Sequence, residues 1–200
     1  MLRILFVCHG NICRSPMAEF ILKDMAARAG LAERFEIASA ATSAEELGSP
    51  VYPPARRKLA EHGISCAGKT ARQLTAADYG RYDYLIGMDG ANVRRMRCIC
   101  GDPEGKIYLL TDFTGRPRDI ADPWYTGDFD AAWEDIEEGC ACLLRQLRDR
   151  AQHNMERYGR EADSRAGRDL YSDRPQILLR FGRMRGTGAR SDDDESRRRR

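Results

Sequence analysis

The sequence predicts an α/β fold: a four-stranded parallel sheet flanked by helices on both faces, with an anion-binding loop after the first strand. Three observations carry this. Four short apolar runs, at Ile4–Val7, Phe35–Ser39, Tyr82–Ile86 and Lys106–Leu110, have the length of buried strands. Segments with helical spacing alternate with them, as in parallel strands joined by right-handed crossovers. Cys8, Ser39, Asp89 and the loop after Leu110 all fall just beyond strand C-terminal ends, where open α/β sheets gather their reactive groups.

The elements follow in order. Pro16 suits the start of a helix, and Met17, Phe20, Ile21 and Met25 place one buried face on a helix over Pro16–Ala29, closed by Gly30. After the second strand, Ser39–Ser43 is a turn of small residues. Pro53–His62 reads as a short helix carrying Arg56, Arg57 and Lys58. A short helix follows Ala71–Leu74, and a further one spans Ala91–Met96. Trp133, Ile136, Cys140, Leu143, Leu144 and Leu147 mark a long closing helix over Asp130–Arg150.

Composition bounds the functional classes. The 200 residues are 42% hydrophobic, enough for one domain and a tail. No apolar run approaches the ~20 residues of a membrane span, and the apolar stretch after Arg3 is too short for a secretory signal, so a cytoplasmic protein is expected. Seven cysteines without framework spacing fit a reducing compartment. The net charge of +2 carries no global nucleic-acid signature.

The chemistry concentrates in Cys8-His9-Gly10-Asn11-Ile12-Cys13-Arg14-Ser15. A loop of this length folded over a helix start aims backbone N–H groups inward and suits an oxyanion such as phosphate. The same N–H groups, the helix dipole and nearby positive charge favour the thiolate form of Cys8. The planar fork of Arg14 is built to grip two phosphate oxygens. A second element, Asp122-Pro123-Trp124-Tyr125, lies between the fourth strand and the last helix. Pro123 stiffens it and Gly127 lets it turn. By itself an Asp-Pro step is a common turn; a carboxylic acid on such a loop would serve as proton donor to a leaving group, and two aromatics beside it as walls for a ring.

The run Val7–Glu19 closely resembles the phosphate-binding loop of low-molecular-weight protein tyrosine phosphatases, and Asp122-Pro123 followed by two aromatics resembles that family's general-acid loop. The resemblance covers roughly residues 2–150 and implies a catalytic domain over 1–150. It leaves 151–200 as a charged C-terminal extension, expected to be largely disordered, since Ser191–Arg200 is low-complexity charge.

What the resemblance implies is metal-independent and cofactor-free hydrolysis of phosphotyrosine through a cysteinyl phosphate. Cys8 is the implied nucleophile, Arg14 the phosphate ligand and Asp122 the general acid. His9, Gly10, Asn11, Ile12, Cys13, Ser15, Trp124 and Tyr125 would form the phosphate and substrate site. Ser39, as a partner of Asn11, and Asp89, at the site wall, would support it. Cys13 is also a redox candidate, able to form a reversible disulfide with Cys8. The implied partners are phosphotyrosine proteins, among them a tyrosine kinase of the bacterial kind, with the protein a monomer or weak dimer and neither a membrane nor nucleic acid involved.

Two departures stand out: Ala38 and Lys69 replace the aspartate and histidine that the family often carries beneath the loop, so loop support is expected to suffer. Trp124 stands where tyrosine is common. Three rival readings share parts of the pattern. An arsenate reductase would need Cys98 and Cys100 as a disulfide relay. A protein-arginine phosphatase carries threonine at the Ile12 position. A phosphotyrosine-binding module would not need Cys8, Arg14 and Asp122 intact.

Overall fold

The computed structural model describes the backbone of residues 1–169 and the side chains of residues 1–149. The strands are β1 (Leu2–Cys8), β2 (Phe35–Ala41), β3 (Tyr84–Gly87) and β4 (Ile107–Leu109), in the order β2-β1-β3-β4 with every pairing parallel. The four-stranded parallel sheet expected from the apolar runs is therefore present. Strand β1 is central, which explains why Ile4 to Val7 are all apolar: a parallel strand covered on both faces has no side for water. Ile4, Phe6 and Cys8 face one layer and Leu5 and Val7 the other.

The helices are α1 (Arg14–Arg28), α2 (Pro53–Glu61), α3 (Ala76–Arg81), α4 (Gly90–Cys100), α5 (Pro123–Thr126) and α6 (Phe129–Asp169). Met17, Ile21 and Leu22 of α1, Leu59 of α2 and Ile136, Cys140 and Leu143 of α6 share a core with the first face of the sheet. Tyr79 of α3 and Met96 of α4 cover the second face, with Leu74 and Tyr82. Each fully buried Leu or Ile contributes roughly 1.5–3 kcal/mol of hydrophobic stabilisation. At Gly139 a Cβ would lie 2.6 Å from Leu110 Cγ, so a glycine lets α6 press against the segment leaving β4.

Several boundaries differ from those expected. Helix α1 begins at Arg14 rather than Pro16, because Pro16 occupies its first turn, where a missing N–H costs nothing. Arg14 and Ser15 thus belong to the helix start itself. Strand β3 begins at Tyr84, since Tyr82 caps α3 and packs in the second core. Helix α4 runs on to Cys100 and stops at Gly101, whose φ of 67° ends it.

Residues Met1–Glu156 form one compact unit, and Arg157–Arg200 are divided off as a second. Helical backbone continues past Arg150, where the apolar spacing stops, to Asp169. The apolar patch Ile177–Phe181 and the charged terminus Ser191–Arg200 lie outside the described residues. Among the described residues no helix is long and apolar enough to cross a membrane.

Candidate active site

Strand β1 ends at Cys8, and the chain turns through Asn11 into α1. Asn11 holds φ at 58°, a left-handed conformation that asparagine tolerates better than most residues. That turn brings its backbone N–H back to within 3.3 Å of Cys8 Sγ. Ser15 Oγ lies 3.1 Å from the same sulfur. The Asn11 side chain also holds that hydroxyl. Asn11 Oδ1 accepts from the Arg72 N–H at 3.1 Å, so its Nδ2 must face inward, donating to Ser15 Oγ at 2.9 Å and Ser39 Oγ at 2.8 Å. With its oxygen accepting from Asn11, Ser15 keeps its own proton for the Cys8 sulfur at 3.1 Å or the Ala40 carbonyl at 3.5 Å.

The Ser39 hydroxyl in turn donates to Glu19 Oε2 at 2.5 Å. Glu19 is buried and pairs with Lys69 at 2.9 Å and Lys23 at 2.5 Å. Lys69 also donates to the Ser39 carbonyl at 3.2 Å. The expected loss of support at Ala38 and Lys69 is thus made good by another route: Lys69 supplies a cation where the resemblance expected histidine, and Glu19 carries its effect through Ser39 to Asn11.

Burial alone would raise the Glu19 carboxyl, but the Lys69 charge and the hydrogen bonds from Lys23 and Ser39 outweigh it and hold the carboxyl below its usual range. Glu19→Gln leaves Lys69 without its counter-charge, and a loss of about 3–5 kcal/mol is expected from urea denaturation at neutral pH. The sign with pH follows from the lowered value. Glu19 contributes in full above the unfolded carboxyl value of about 4.3 and loses its contribution as pH falls through the folded value. The difference between wild type and Glu19→Gln should therefore shrink in acid.

Arg14 is almost wholly buried. Its Nη1 donates to Asp89 Oδ2 at 2.7 Å and to the Ile120 carbonyl at 2.9 Å, and its Nη2 donates to Asp122 Oδ2. Its Nε is buried with no hydrogen-bond partner. Asp89 caps α4 by accepting from the Asn92 N–H at 2.6 Å, the local role expected of it. Its second oxygen does more, anchoring Arg14 from the N-terminus of α4.

Asp122 caps the single turn α5, accepting from the Trp124 N–H at 3.1 Å. The Asp-Pro step reads as an N-cap followed by a proline suited to the first helical position. The walls are less enclosing than expected. Trp124 is half exposed and Tyr125 largely so, and the Trp124 ring leans on Tyr52 with centroids 4.9 Å apart.

Cys8, His9, Gly10, Ile12, Cys13, Arg14, Asp122, Trp124 and Tyr125 line one pocket. Asn11, Ser15 and Ser39 stand behind the loop and Asp89 behind Arg14. Glu45 and Glu46 also line the pocket, and the sequence pattern gave no sign of them. Cys13 is buried, and its thiol is pushed up to about 12, first by burial and then by the negative charge of Cys8 and Asp122. Among the described residues no group of three acidic, histidine or cysteine side chains forms a metal site. Cys98 and Cys100 lie at the C-terminal end of α4, and neither lines the pocket.

The family model described as "Low molecular weight phosphotyrosine protein phosphatase" matches residues 3–153. The chain is 37% identical over 155 residues to the low molecular weight protein-tyrosine-phosphatase YfkJ of Bacillus subtilis, covering 76% of this chain and 99% of that protein. It is 31% identical to PtpA of Staphylococcus epidermidis, covering 72% and 92% of the two. The crystal structure of YfkJ superposes with a TM-score of 0.73, covering 75% of this chain and 96% of that one. A drosophila arginine phosphatase superposes at 0.67 with 29% identity, covering 73% and 98%. Sequence, sheet order and pocket agree: this chain belongs to the low-molecular-weight protein tyrosine phosphatases, a family of hydrolases.

Proposed function

We propose that Cys8, Arg14 and Asp122 carry out phosphotyrosine hydrolysis in two displacements. The observation that supports this most is the opposition of Cys8 Sγ, ringed by Asn11 N–H and Ser15 Oγ, to a carboxylate resting on Arg14. In the first displacement the Cys8 thiolate attacks phosphorus. The P–O bond to tyrosine breaks, and Asp122 gives its proton to the departing oxygen. In the second, water attacks phosphorus and passes a proton to Asp122. The P–S bond breaks, releasing inorganic phosphate and restoring the thiolate.

Arg14 is prepared for this. Asp89 and the Ile120 carbonyl occupy Nη1 and hold the guanidinium still. Nε is free, and Nη2 needs only to exchange Asp122 for a phosphate oxygen, so the fork meets phosphate through those two nitrogens. That exchange also frees Asp122 from its partner as substrate arrives. Loop N–H groups stabilise the equatorial oxygens of both transition states.

Ile12 at the pocket wall and the aromatics Trp124, Tyr125 and Tyr52 favour a phenyl ring over a guanidinium. Assays of matched phosphotyrosine and phosphoarginine peptides test this directly. Hydrolysis of phosphotyrosine is expected to be faster; faster release from phosphoarginine would assign the chain to the other substrate. The partners in this reading are phosphotyrosine proteins of the cytoplasm, including a tyrosine kinase of the bacterial kind.

Cys13 completes the proposal as a thiol that reacts only after Cys8 is oxidised. A Cys8 sulfenic acid formed by peroxide condenses with the Cys13 thiol, releasing water and forming a disulfide. Peptide mass mapping after peroxide treatment should show Cys8 joined to Cys13. Sulfinic acid at Cys8 with Cys13 unmodified would remove that role.

A further inference from the structure

The two lips of the pocket carry opposite charge. On one side α4 presents Arg95, exposed, bonded to the pocket residue His9 and without a carboxylate at ion-pair distance among the described residues. On the other, the loop after β2 presents Glu45 and Glu46. Glu46 has no cationic partner among the described residues, and its Cγ lies 3.3 Å from where a Cβ on Gly10 would be.

His9 ties the two lips together. Its Nδ1 is 2.8 Å from an Arg95 Nη1, and its Nε2 is 2.9 Å from Glu45 Oε2. A guanidinium only donates, so Nδ1 accepts, and Nε2 carries the ring proton and gives it to Glu45. One tautomer satisfies both neighbours, and it fixes the polarity of the rim, positive toward α4 and negative toward the loop. None of these side chains has a part in the displacements at phosphorus. An unpaired carboxylate at the mouth of a pocket for a dianion disfavours the phosphate taken alone. A cation on the substrate reverses that sign, as an anion does beside an unpaired arginine.

We infer that this rim is a specificity device for phosphotyrosine segments of mixed charge, with an acidic residue on one side of the phosphotyrosine against Arg95 and a basic residue on the other against Glu46. The inference rests on the phosphotyrosine reading above. Arg95 and Glu46 are its specificity-determining residues, and His9, held by Glu45, is the positioning residue for Arg95.

Two peptides of the same composition test it, one with acidic residues before the phosphotyrosine and basic residues after, the other with the order reversed. Their net charge is equal, so the overall field of the protein cannot separate them. One order is expected to be preferred about tenfold in kcat/KM at low salt, from two exposed charge pairs made in one order and two repulsions in the other, with the preference fading at high salt. The paired change Arg95→Glu with Glu46→Lys should invert the preference, and the thermal unfolding midpoint reports the integrity of each sample. Equal rates for both orders, or a preference that survives the paired change, would overturn the inference alone. Absence of hydrolysis of both peptides and of p-nitrophenyl phosphate by wild type would overturn the phosphotyrosine reading, and this inference with it.

Discussion

Cys8→Ser is expected to lower turnover of p-nitrophenyl phosphate on the order of 10⁴-fold or more, because it removes the group on which the covalent intermediate forms. The sulfur sits at the base of the pocket with the Asn11 N–H and the Ser15 hydroxyl directed at it. A serine hydroxyl there keeps much of the shape and lacks the thiolate. Arg14 and the loop N–H groups are untouched, so a phosphotyrosine peptide should still be captured, as measured by direct binding. Activity retained by Cys8→Ser would remove the nucleophile assignment.

The second large effect is expected at Asp122. Asp122→Asn keeps the cap on α5, since asparagine accepts from the Trp124 N–H as well as aspartate does. It cannot donate a proton as a carboxylic acid can. Tyrosine leaves as a group whose conjugate acid has a pKa of about 10, so kcat on a phosphotyrosine peptide should fall about 10²–10⁴-fold with little change in KM. Nitrophenolate is a far better leaving group, and its release should suffer much less. An equal fall on both substrates would instead mean that Asp122 matters through its hold on Arg14.

The parts of this molecule legible in sequence are those whose chemistry is local in the chain. The loop from Cys8 to Ser15 is contiguous, its strand and helix are signalled by periodicity, and the Asp122-Pro123 step carries its own turn. What was hidden is the support that arrives from far away. Asp89 reaches Arg14 across 75 positions, and Asp122 reaches it across 108. Glu19 looks like one more charge on α1, paired with Lys23 four residues on; only the fold shows that it is buried and answers to Lys69 and Ser39. For the same reason the loss of the usual residues at Ala38 and Lys69 looked like a weakness. A carboxylate and an ammonium brought together by tertiary structure leave no mark in local spacing. The openness of the aromatic walls is another tertiary matter: Trp124 and Tyr125 both line the pocket yet stay exposed, and Tyr52, from another segment, backs the Trp124 ring.

The Asn11 side chain has a consequence for how this protein fails. Its amide is spoken for by Ser15, Ser39 and the Arg72 backbone, so the loop around Cys8 borrows its shape from segments far along the chain. Excised from those neighbours, the motif is an ordinary peptide with no memory of its curve. Loosening near Arg72 would release the Asn11 amide and with it the curve of the loop, so hydrogen exchange at that one amide is a gauge of whether the thiol is held in place.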